Sequence, residues 1–175
     1  MNLTPDTFRI VMGHFVTGVT VVTAFDVAMP QGITVNALSS VSLEPPLVMV
    51  ALDRRRFITP TVRAAGRFGV SFLAETQQAL SDCFAGAEVT PGRDEFCGAT
   101  WHPGETGLPL IAGAIASLEC TVVETFSAGD HDLFIGRVDA LATEATEGEP
   151  LLYYRRRYLR IERATSATVE GKHDG

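Results

Sequence analysis

The chain is short of basic residues and of long apolar runs, and each shortage excludes a class of protein. Its 175 residues carry 14 Lys and Arg against 21 Asp and Glu, a formal net charge of −7. A nucleic-acid-binding surface needs an excess of basic side chains to neutralise phosphates, so we expect no nucleic-acid partner. The longest strongly apolar run, Leu47 to Leu52, is too short to cross a bilayer. We therefore expect neither a membrane span nor a secretory leader.

Cysteine is also scarce. The chain has three cysteines, an odd number, and Cys83, Cys97 and Cys120 form no CxxC pair. The four histidines show no metal-ligand spacing relative to these cysteines. They are His14, His102, His131 and His173. This usage predicts reduced thiols, a cytoplasmic location and no metal site.

No GxGxxG motif follows a predicted strand, so any dinucleotide is bound without a Rossmann fold. Apolar residues alternate with polar ones over 116–122, the period of a half-buried antiparallel strand. With about six strands, two or three short helices and no βα alternation, the pattern favours a mainly β, antiparallel barrel with peripheral helices. We expect one domain over residues 1–163 and a disordered polar tail over 164–175.

The local patterns predict where these elements lie. A capped amphipathic helix begins at Pro5 and ends by Gly18, and two more helices cover 59–65 and 75–84. A turn is expected at 29–32, and residues 86–114 are expected to be irregular. Strands are expected at 19–25, 33–37, 47–52, 68–73, 115–122 and 133–141, with a short pair within 151–161.

Two segments offer chemistry. The first, Thr34 to Ser42, combines hydroxyl and amide side chains with a small Ala37, so that a flat ring could approach the backbone and N–H groups could meet phosphate. The second, Gly129-Asp130-His131, forms a tight turn that places His131 at the rim of the barrel, where an imidazole can donate to a carboxamide or stack on a ring. Asp130 and Asp132 flank that histidine and should raise its proton affinity. Read from chemistry alone, a solvated turn and an ordinary surface histidine remain the simpler interpretations.

Several segments, in matching order and spacing, resemble the flavin reductase-like family with the FMN-binding split-barrel fold. They are Thr17–Ala24, Gly32–Val48, Ala65–Phe68, Asp94–Phe96, Gly129–His131, Gly136–Val138 and Pro150–Tyr154. The resemblance runs from Phe8 to about Ile161. It implies a Greek-key split barrel, a homodimer, non-covalently bound FAD or FMN, and a hydride donor that is NADH or, less favoured, NADPH. It also implies a partner monooxygenase that receives the reduced flavin.

The resemblance further implies which residues form the site. The expected flavin contacts are Thr34, Val35, Asn36, Ala37, Ser39, Ser40, Ala51, Leu52, Asp53, Arg56 and Thr59. His131 is expected to orient the nicotinamide, and Tyr154 and Tyr158 to close over the nucleotide. Phe57 stands where the family has a small hydroxyl residue, and Arg54 to Arg56 could replace that phosphate contact. No acid, base or nucleophile is expected, because hydride transfer is chemistry that the two cofactors supply.

Two other functions fit parts of the pattern. A non-catalytic flavin-binding or electron-transfer split-barrel protein would bind flavin without oxidising NADH, and the Gly129–His131 segment argues against it. A barrel that binds a small ligand without redox chemistry would not take up flavin at all. The residues do not distinguish FAD from FMN or NADH from NADPH.

Overall fold

Antiparallel strands dominate the computed structural model, which describes residues 2–86, 96–143 and 148–162. The helices are α1 (Pro5–Met12), α2 (Ile58–Ala65) and α3 (Gln78–Gly86), and α3 follows a 3₁₀ turn at Glu75–Gln77. The strands are β1 (Thr17–Gly18), β2 (Thr20–Asp26), β3 (Met29–Val35), β4 (Leu38–Leu43), β5 (Pro46–Asp53), β6 (Arg67–Phe72), β7 (Trp101–Pro103), β8 (Pro109–Ile111), β9 (Ala116–Ala128), β10 (His131–Thr143), β11 (Leu152–Tyr154) and β12 (Arg157–Leu159).

Seven strands form the main sheet, in the order β3-β2-β6-β9-β10-β5-β4, and all its pairs are antiparallel. Smaller sheets join β1, β11 and β12, and β7 with β8. The mainly β, antiparallel class with short helices is therefore confirmed. The main sheet has more strands than we expected because it includes β4, a serine-containing segment that was not predicted to be a strand. Its residues are mostly exposed and show no alternation of apolar and polar residues.

The larger of two buried clusters includes one face of β5, and a second cluster contains Val21 and Phe84. Alternate residues of β5, namely Val48, Val50 and Leu52, are buried in the larger cluster with Phe68 and Phe134. The helix α2 adds Ile58 and Val62, both fully buried. The buried residues of β5 thus follow the period of two, and the two buried apolar residues of α2 are four residues apart, as burial of one face of each element requires.

The first helix is shorter than predicted. Thr4 caps it as expected, because its Oγ1 accepts a hydrogen bond from the Thr7 backbone N–H at 3.2 Å. The predicted end at Gly18 is wrong: the helix ends at Met12 with Gly13 as its cap, because Thr17 and Gly18 pair with β11 instead. None of its side chains is buried, and Phe15 just beyond it is 70% exposed.

The first hairpin also turns earlier than predicted. The turn lies at Val27 and Ala28, so the prediction of a turn at 29–32 is wrong and β3 already begins at Met29. Proline is tolerated at Pro30 because β3 is an edge of the main sheet. Gly32 allows a close approach, since a Cβ there would lie 2.7 Å from Cε1 of Phe84 in α3.

The polar face of β9 is covered rather than solvated. Glu119 is 2% exposed. Its Oε2 accepts hydrogen bonds from the Thr106 Oγ1 at 2.5 Å and the Leu108 backbone N–H at 3.1 Å. The covering residues belong to the β7–β8 hairpin, within the range that we expected to be irregular, and residues 87–95 of that range lie outside the described residues.

The prediction of three reduced thiols is wrong for two of them. Cys83 in α3 and Cys97 form a disulfide with their Cα atoms 6.0 Å apart. The fold brings together two cysteines whose separation of 14 residues carries no pairing signal. Cys120 remains free and buried, and burial raises the pKa of its thiol to about 12.

Two further expectations concern the ends of the chain and the membrane. The tail predicted to be disordered, 164–175, lies outside the described residues. Among the helices that the structure describes, none has the length and apolar character needed to span a membrane.

Candidate active site

Three segments that are distant in the sequence meet at the C-terminal end of β5. His131 at the start of β10 pairs with Asp53, the last residue of β5. The Arg54 backbone N–H donates to the Asp130 carbonyl at 3.0 Å, and the Ala51 N–H donates to the Ala37 carbonyl at 3.1 Å. The fold therefore assembles the β3–β4 connection, the 53–56 turn and the Gly129–His131 turn into one region, which we call the β5 rim.

The β3–β4 connection presents small and polar groups to solvent. Asn36, Ala37, Ser39 and Ser40 are exposed, whereas the side chain of Val35 lies in the core. Thr34 is half-buried, and its Oγ1 donates to the Ser81 carbonyl of α3 at 2.7 Å. Four of the predicted flavin contacts are thus exposed on one short stretch. Thr34, just before it, is hydrogen-bonded to α3.

The three arginines after β5 have different surroundings. The Asp53 carboxylate accepts from the Arg55 side chain, with 2.7 Å between Nη2 and Oδ2, and from the Arg55 backbone N–H at 2.9 Å. These bonds hold the pKa of Asp53 well below its usual range. The Arg54 guanidinium donates to the Gly129 carbonyl. Arg56 alone of the three has no side-chain hydrogen bond or ion pair within the described ranges, and it lies just before the N-terminus of α2.

Two predicted contacts near Arg56 have their side chains inside the fold. Thr59 is 2% exposed, and its hydroxyl donates to the Asp53 carbonyl at 2.7 Å. Leu52 is 1% exposed, and Ala51 is half-buried. Leu52 can therefore contact a ligand through its backbone atoms alone. The hydroxyl of Thr59, by bonding the Asp53 carbonyl, stabilises the turn that contains Arg56.

His131 projects from the turn as predicted. Gly129 adopts a φ of 60°, which glycine tolerates, and the His131 side chain is 40% exposed. Its Nδ1 lies 2.7 Å from Oδ1 of Asp130, and this hydrogen bond lowers the pKa of Asp130. The ring's Nε2 has no hydrogen-bond partner among the described residues, so it is free to meet a ligand.

The expectation that Asp132 acts on His131 is wrong, because the two side chains lie on opposite faces of β10. Successive side chains of a strand point to opposite faces, and Asp132 is buried at 3% exposure. It accepts from Arg63 Nη2 at 2.6 Å and from Ser127 Oγ at 2.9 Å. Burial alone would raise the pKa of Asp132, but these hydrogen bonds outweigh burial and lower it.

The two predicted tyrosines lie elsewhere in the described structure. Tyr154 contacts His14 edge to face, with ring centroids 6.2 Å apart. The Tyr158 hydroxyl donates to Asp82 Oδ1 at 2.8 Å and lies 2.9 Å from Ser81 Oγ. Tyr158 is thereby linked through Ser81 to Thr34, and in the described ranges neither tyrosine has a hydrogen bond or ring contact with His131.

Sequence reasoning missed Ser81 and Asp82. Ser81 is fully buried and links Thr34 to Tyr158. Its carbonyl accepts the hydrogen bond from the Thr34 hydroxyl, and its own hydroxyl is hydrogen-bonded to that of Tyr158. A signal was present: Ser81 is three residues before Phe84, so it lies on the inward face of the predicted helix, where a polar side chain needs a partner.

The fold and the site define an antiparallel β domain without a Rossmann motif, in which a polar strand connection lies beside a rim histidine. Residues 12–162 match the family described as flavin reductase like domain, and the chain belongs to this family. The predicted family is confirmed.

Among similar proteins is the reductase subunit HsaB of a flavin-dependent monooxygenase from Mycobacterium tuberculosis. It is 36% identical over 174 residues, which cover 99% of this chain and 91% of HsaB. An NADH-dependent flavin reductase from a Rhodococcus species is 40% identical over 164 residues, covering 92% of this chain and 89% of that protein.

A similar solved structure is the NADH:FAD oxidoreductase SgcE6 of Streptomyces globisporus. The TM-score is 0.84 at 36% identity, with 93% of this chain and 98% of SgcE6 covered. SgcE6 has also been solved in complex with NAD and FAD fragments, and that structure matches with a TM-score of 0.83.

Proposed function

We propose that this chain is an NADH-dependent flavin reductase that reduces non-covalently bound FAD or FMN and releases it to a partner monooxygenase. The observation that carries the proposal is the β5 rim, where the β3–β4 connection, Arg56 and His131 meet in a member of this family. The similar proteins support the activity, since they are named as NADH-dependent reductases of flavin and as reductase subunits of monooxygenases.

The flavin is proposed to lie on the exposed stretch Asn36 to Ser40. The small side chains there allow a planar ring to approach the backbone, and the exposed hydroxyls can meet polar ring atoms or the ribityl chain. Thr34, Ala51 and Asp53 flank this seat, and Val35 and Leu52 support it from the core. The residues present therefore fit a flavin without a covalent link.

The phosphate is proposed to lie by Arg56 and the start of α2. This helix has no side-chain cap at Phe57. The Thr59 N–H donates to the Arg56 carbonyl at 3.1 Å and Pro60 has no N–H, so in this part of the first turn the Ile58 N–H is the one that remains for an anion. The side chains of Arg54 and Arg55 are exposed but are hydrogen-bonded to Gly129 and Asp53, which leaves Arg56 as the available guanidinium. Thr59 supports this position through its bond to Asp53 rather than through an exposed hydroxyl.

The bound cofactors supply hydride transfer from the nicotinamide ring to the flavin ring. The protein's part is to hold the rings in the reactive geometry and to keep water out. His131 is proposed to orient the nicotinamide carboxamide through Nε2, with Asp130 fixing the ring through Nδ1. Tyr154 and Tyr158 are proposed to contact the bound nicotinamide nucleotide. Tyr158 would do so with its ring, because its hydroxyl donates a hydrogen bond to Asp82 in α3.

The working unit is proposed to be a homodimer. The α1 region exposes an apolar face consisting of Phe8 (56% exposed), Val11 (58%), Met12 (49%) and Phe15 (70%). An apolar face of this kind on an amphipathic helix is stable when another surface covers it. We propose that a second copy of the chain does so.

Residues 1–163 are proposed to form one domain, and the protein is proposed to act in the cytoplasm. The reduced-thiol argument for that location no longer holds for Cys83 and Cys97. The support that remains is the reaction itself, which consumes a nicotinamide nucleotide of the cytoplasm.

The test uses the purified full chain with NADH or NADPH and with FAD, FMN or riboflavin in turn. Loss of nicotinamide absorbance should require added flavin and should be faster with NADH. A protein that turns yellow with flavin but does not oxidise NADH would instead be a binding or electron-transfer protein. Unchanged flavin spectra on addition of the protein would indicate a barrel for another small ligand.

A further inference from the structure

The disulfide lies next to the proposed flavin seat, on the helix that supports it. Cys83 is exposed on α3, and Cys97 is half-buried directly after the buried Phe96. The rings of Phe84 and Phe96 pack edge to face with centroids 5.1 Å apart. The bond therefore ties α3 to the segment that begins at Phe96.

The same helix holds β3 at two points. Its Ser81 carbonyl accepts the hydrogen bond from Thr34 Oγ1, and its Phe84 ring packs so closely on Gly32 that a Cβ there would lie 2.7 Å away. Thr34 lies two residues before Asn36, where the exposed seat begins. The position of α3 thus sets the position of the strand end that leads into the seat.

The backbone at Cys97 is held in an unfavourable conformation. Cys97 has a φ of 56°, in the left-handed region that side chains other than glycine rarely adopt, and Gly98 follows with a φ of 63°. Such a conformation persists where surrounding contacts hold it, here the disulfide, the packing of Phe96 and the hydrogen bond from the Ala99 N–H to the Phe96 carbonyl at 2.9 Å. Breaking the disulfide removes one of these restraints.

We propose that Cys83 and Cys97 form a reversible thiol–disulfide site whose oxidised form tightens flavin binding through α3. The proposal rests on the proposed function, because it takes the β3–β4 connection as the flavin seat. In a reducing cytoplasm, a disulfide is usually transient and catalytic or redox-sensing, and Cys83 is exposed to a reductant. Cys120 cannot take part, since it is buried and its thiol stays protonated.

The reaction partner is a small or protein dithiol. One of its thiolates attacks the exposed Cys83 sulfur, the S–S bond breaks, and Cys97 leaves as a thiolate that takes up a proton. The second thiol of the reductant then displaces Cys83 and closes the reductant's own disulfide. The protein gains two electrons and two protons and the dithiol loses them; a small-molecule disulfide runs the exchange in reverse.

The experiment compares oxidised and reduced forms of the full chain. One sample is kept oxidised, and a second is reduced with dithiothreitol and desalted without air. Thiol titration of the denatured samples should find Cys120 alone in the first and all three cysteines in the second. Flavin titration followed by fluorescence should give a Kd about fivefold weaker for the reduced form, about 1 kcal/mol, the scale of one hydrogen bond such as Thr34–Ser81.

Matched variants identify the site. Cys83→Ser should bind flavin as the reduced form does and should not respond to dithiothreitol, whereas Cys120→Ala should respond as the natural chain does. Three free thiols in the oxidised sample, or equal flavin Kd values in the two forms, would overturn the thiol–disulfide proposal while NADH oxidation continued to support the proposed function. Failure of both forms to bind flavin and to oxidise NADH would instead contradict the proposed function, and this proposal with it.

Discussion

His131 lies directly opposite Asp53 in the pairing of β10 with β5, yet each side chain is held by a partner next to it in its own segment. Asp130 holds the imidazole, and Arg55 holds the Asp53 carboxylate. The orientation of the histidine is therefore set within its own turn, and the turn itself is fixed on the rim by the backbone bond from Arg54 to Asp130.

Replacing His131 with alanine tests its role toward the nicotinamide. We expect kcat/KM for NADH to fall about tenfold, the value of one hydrogen bond to a positioned ligand, with the flavin Kd unchanged. Steady-state kinetics and flavin titration measure the two effects separately. His102→Ala is the control, because that exposed histidine's side chain has, among the described residues, a hydrogen bond with the Pro103 carbonyl alone. Unaltered NADH oxidation in the His131 variant would show that the assigned role is wrong.

Replacing Arg56 with alanine tests the phosphate position. We expect the Kd values for FMN and FAD to weaken about tenfold, because a charge-assisted hydrogen bond to phosphate is lost. Riboflavin, which has no phosphate, is the matched control ligand and should bind the variant and the natural chain equally. An equal loss for all three flavins would place Arg56 against the ring instead, and no loss would remove it from the site.

Replacing Asp132 with asparagine tests the buried ion pair with Arg63. We expect the variant to lose about 2 kcal/mol of unfolding free energy at neutral pH, since Arg63 loses a buried partner but is itself half-exposed. The folded-state pKa of Asp132 is lowered, so its contribution is complete above the ordinary value of 3.8 and is lost as the pH falls below it. Denaturant unfolding should therefore show the two proteins converging in stability as the pH falls below about 4. A constant difference down to low pH would contradict the ionised pair.

Replacing Gly32 with alanine tests the contact between β3 and α3. The added methyl would lie 2.7 Å from the Phe84 ring, so either the ring or α3 must shift. We expect a loss of about 2 kcal/mol in thermal or denaturant unfolding, the usual cost of overpacking, and weaker flavin binding. Gly18→Ala provides the control, since a Cβ at Gly18 meets nothing within 4 Å. Equal stability of the two variants would mean that Phe84 moves freely and that α3 does not set the position of β3.

Replacing Phe15 with aspartate tests the proposed dimer. A charge on the exposed apolar face should shift the protein from dimer to monomer in analytical ultracentrifugation, because burying an unpaired carboxylate is unfavourable. Val27→Asp is the control, since Val27 lies at a hairpin turn and is 98% exposed. A natural chain that sediments as a monomer at all concentrations would contradict the dimer directly.

The family, the antiparallel β class and flavin reduction by NADH could be predicted from the sequence, and all three are confirmed. The first part of β9 was predictable because apolar and polar residues alternate over 116–122, and β5 was predictable because Leu47 to Leu52 is a short continuous apolar run. The rim could be proposed because Gly129 and Asp130 are turn formers, which places His131 at a strand end. Which residues contact the cofactors stays a prediction.

Three of the failures have a common physical cause. The end of α1, the covered face of β9 and the Cys83–Cys97 pair all depend on partners far away in the sequence: β11, the β7–β8 hairpin and α3. Local patterns report which side of an element is apolar, but they do not report what covers the other side. Glu119 illustrates this, since its alternation matched a solvated position and tertiary hydrogen bonds buried it.

The two edge strands of the main sheet, β3 and β4, follow each other in the chain and are joined by Asn36 and Ala37. These two residues of the proposed flavin seat therefore connect the two edges of the main sheet, and each of these edge strands has a single hydrogen-bonded neighbour in that sheet. With the flavin at the proposed seat, its binding and release would take place at the margin of the sheet, and no strand pair of the seven-stranded sheet would have to separate.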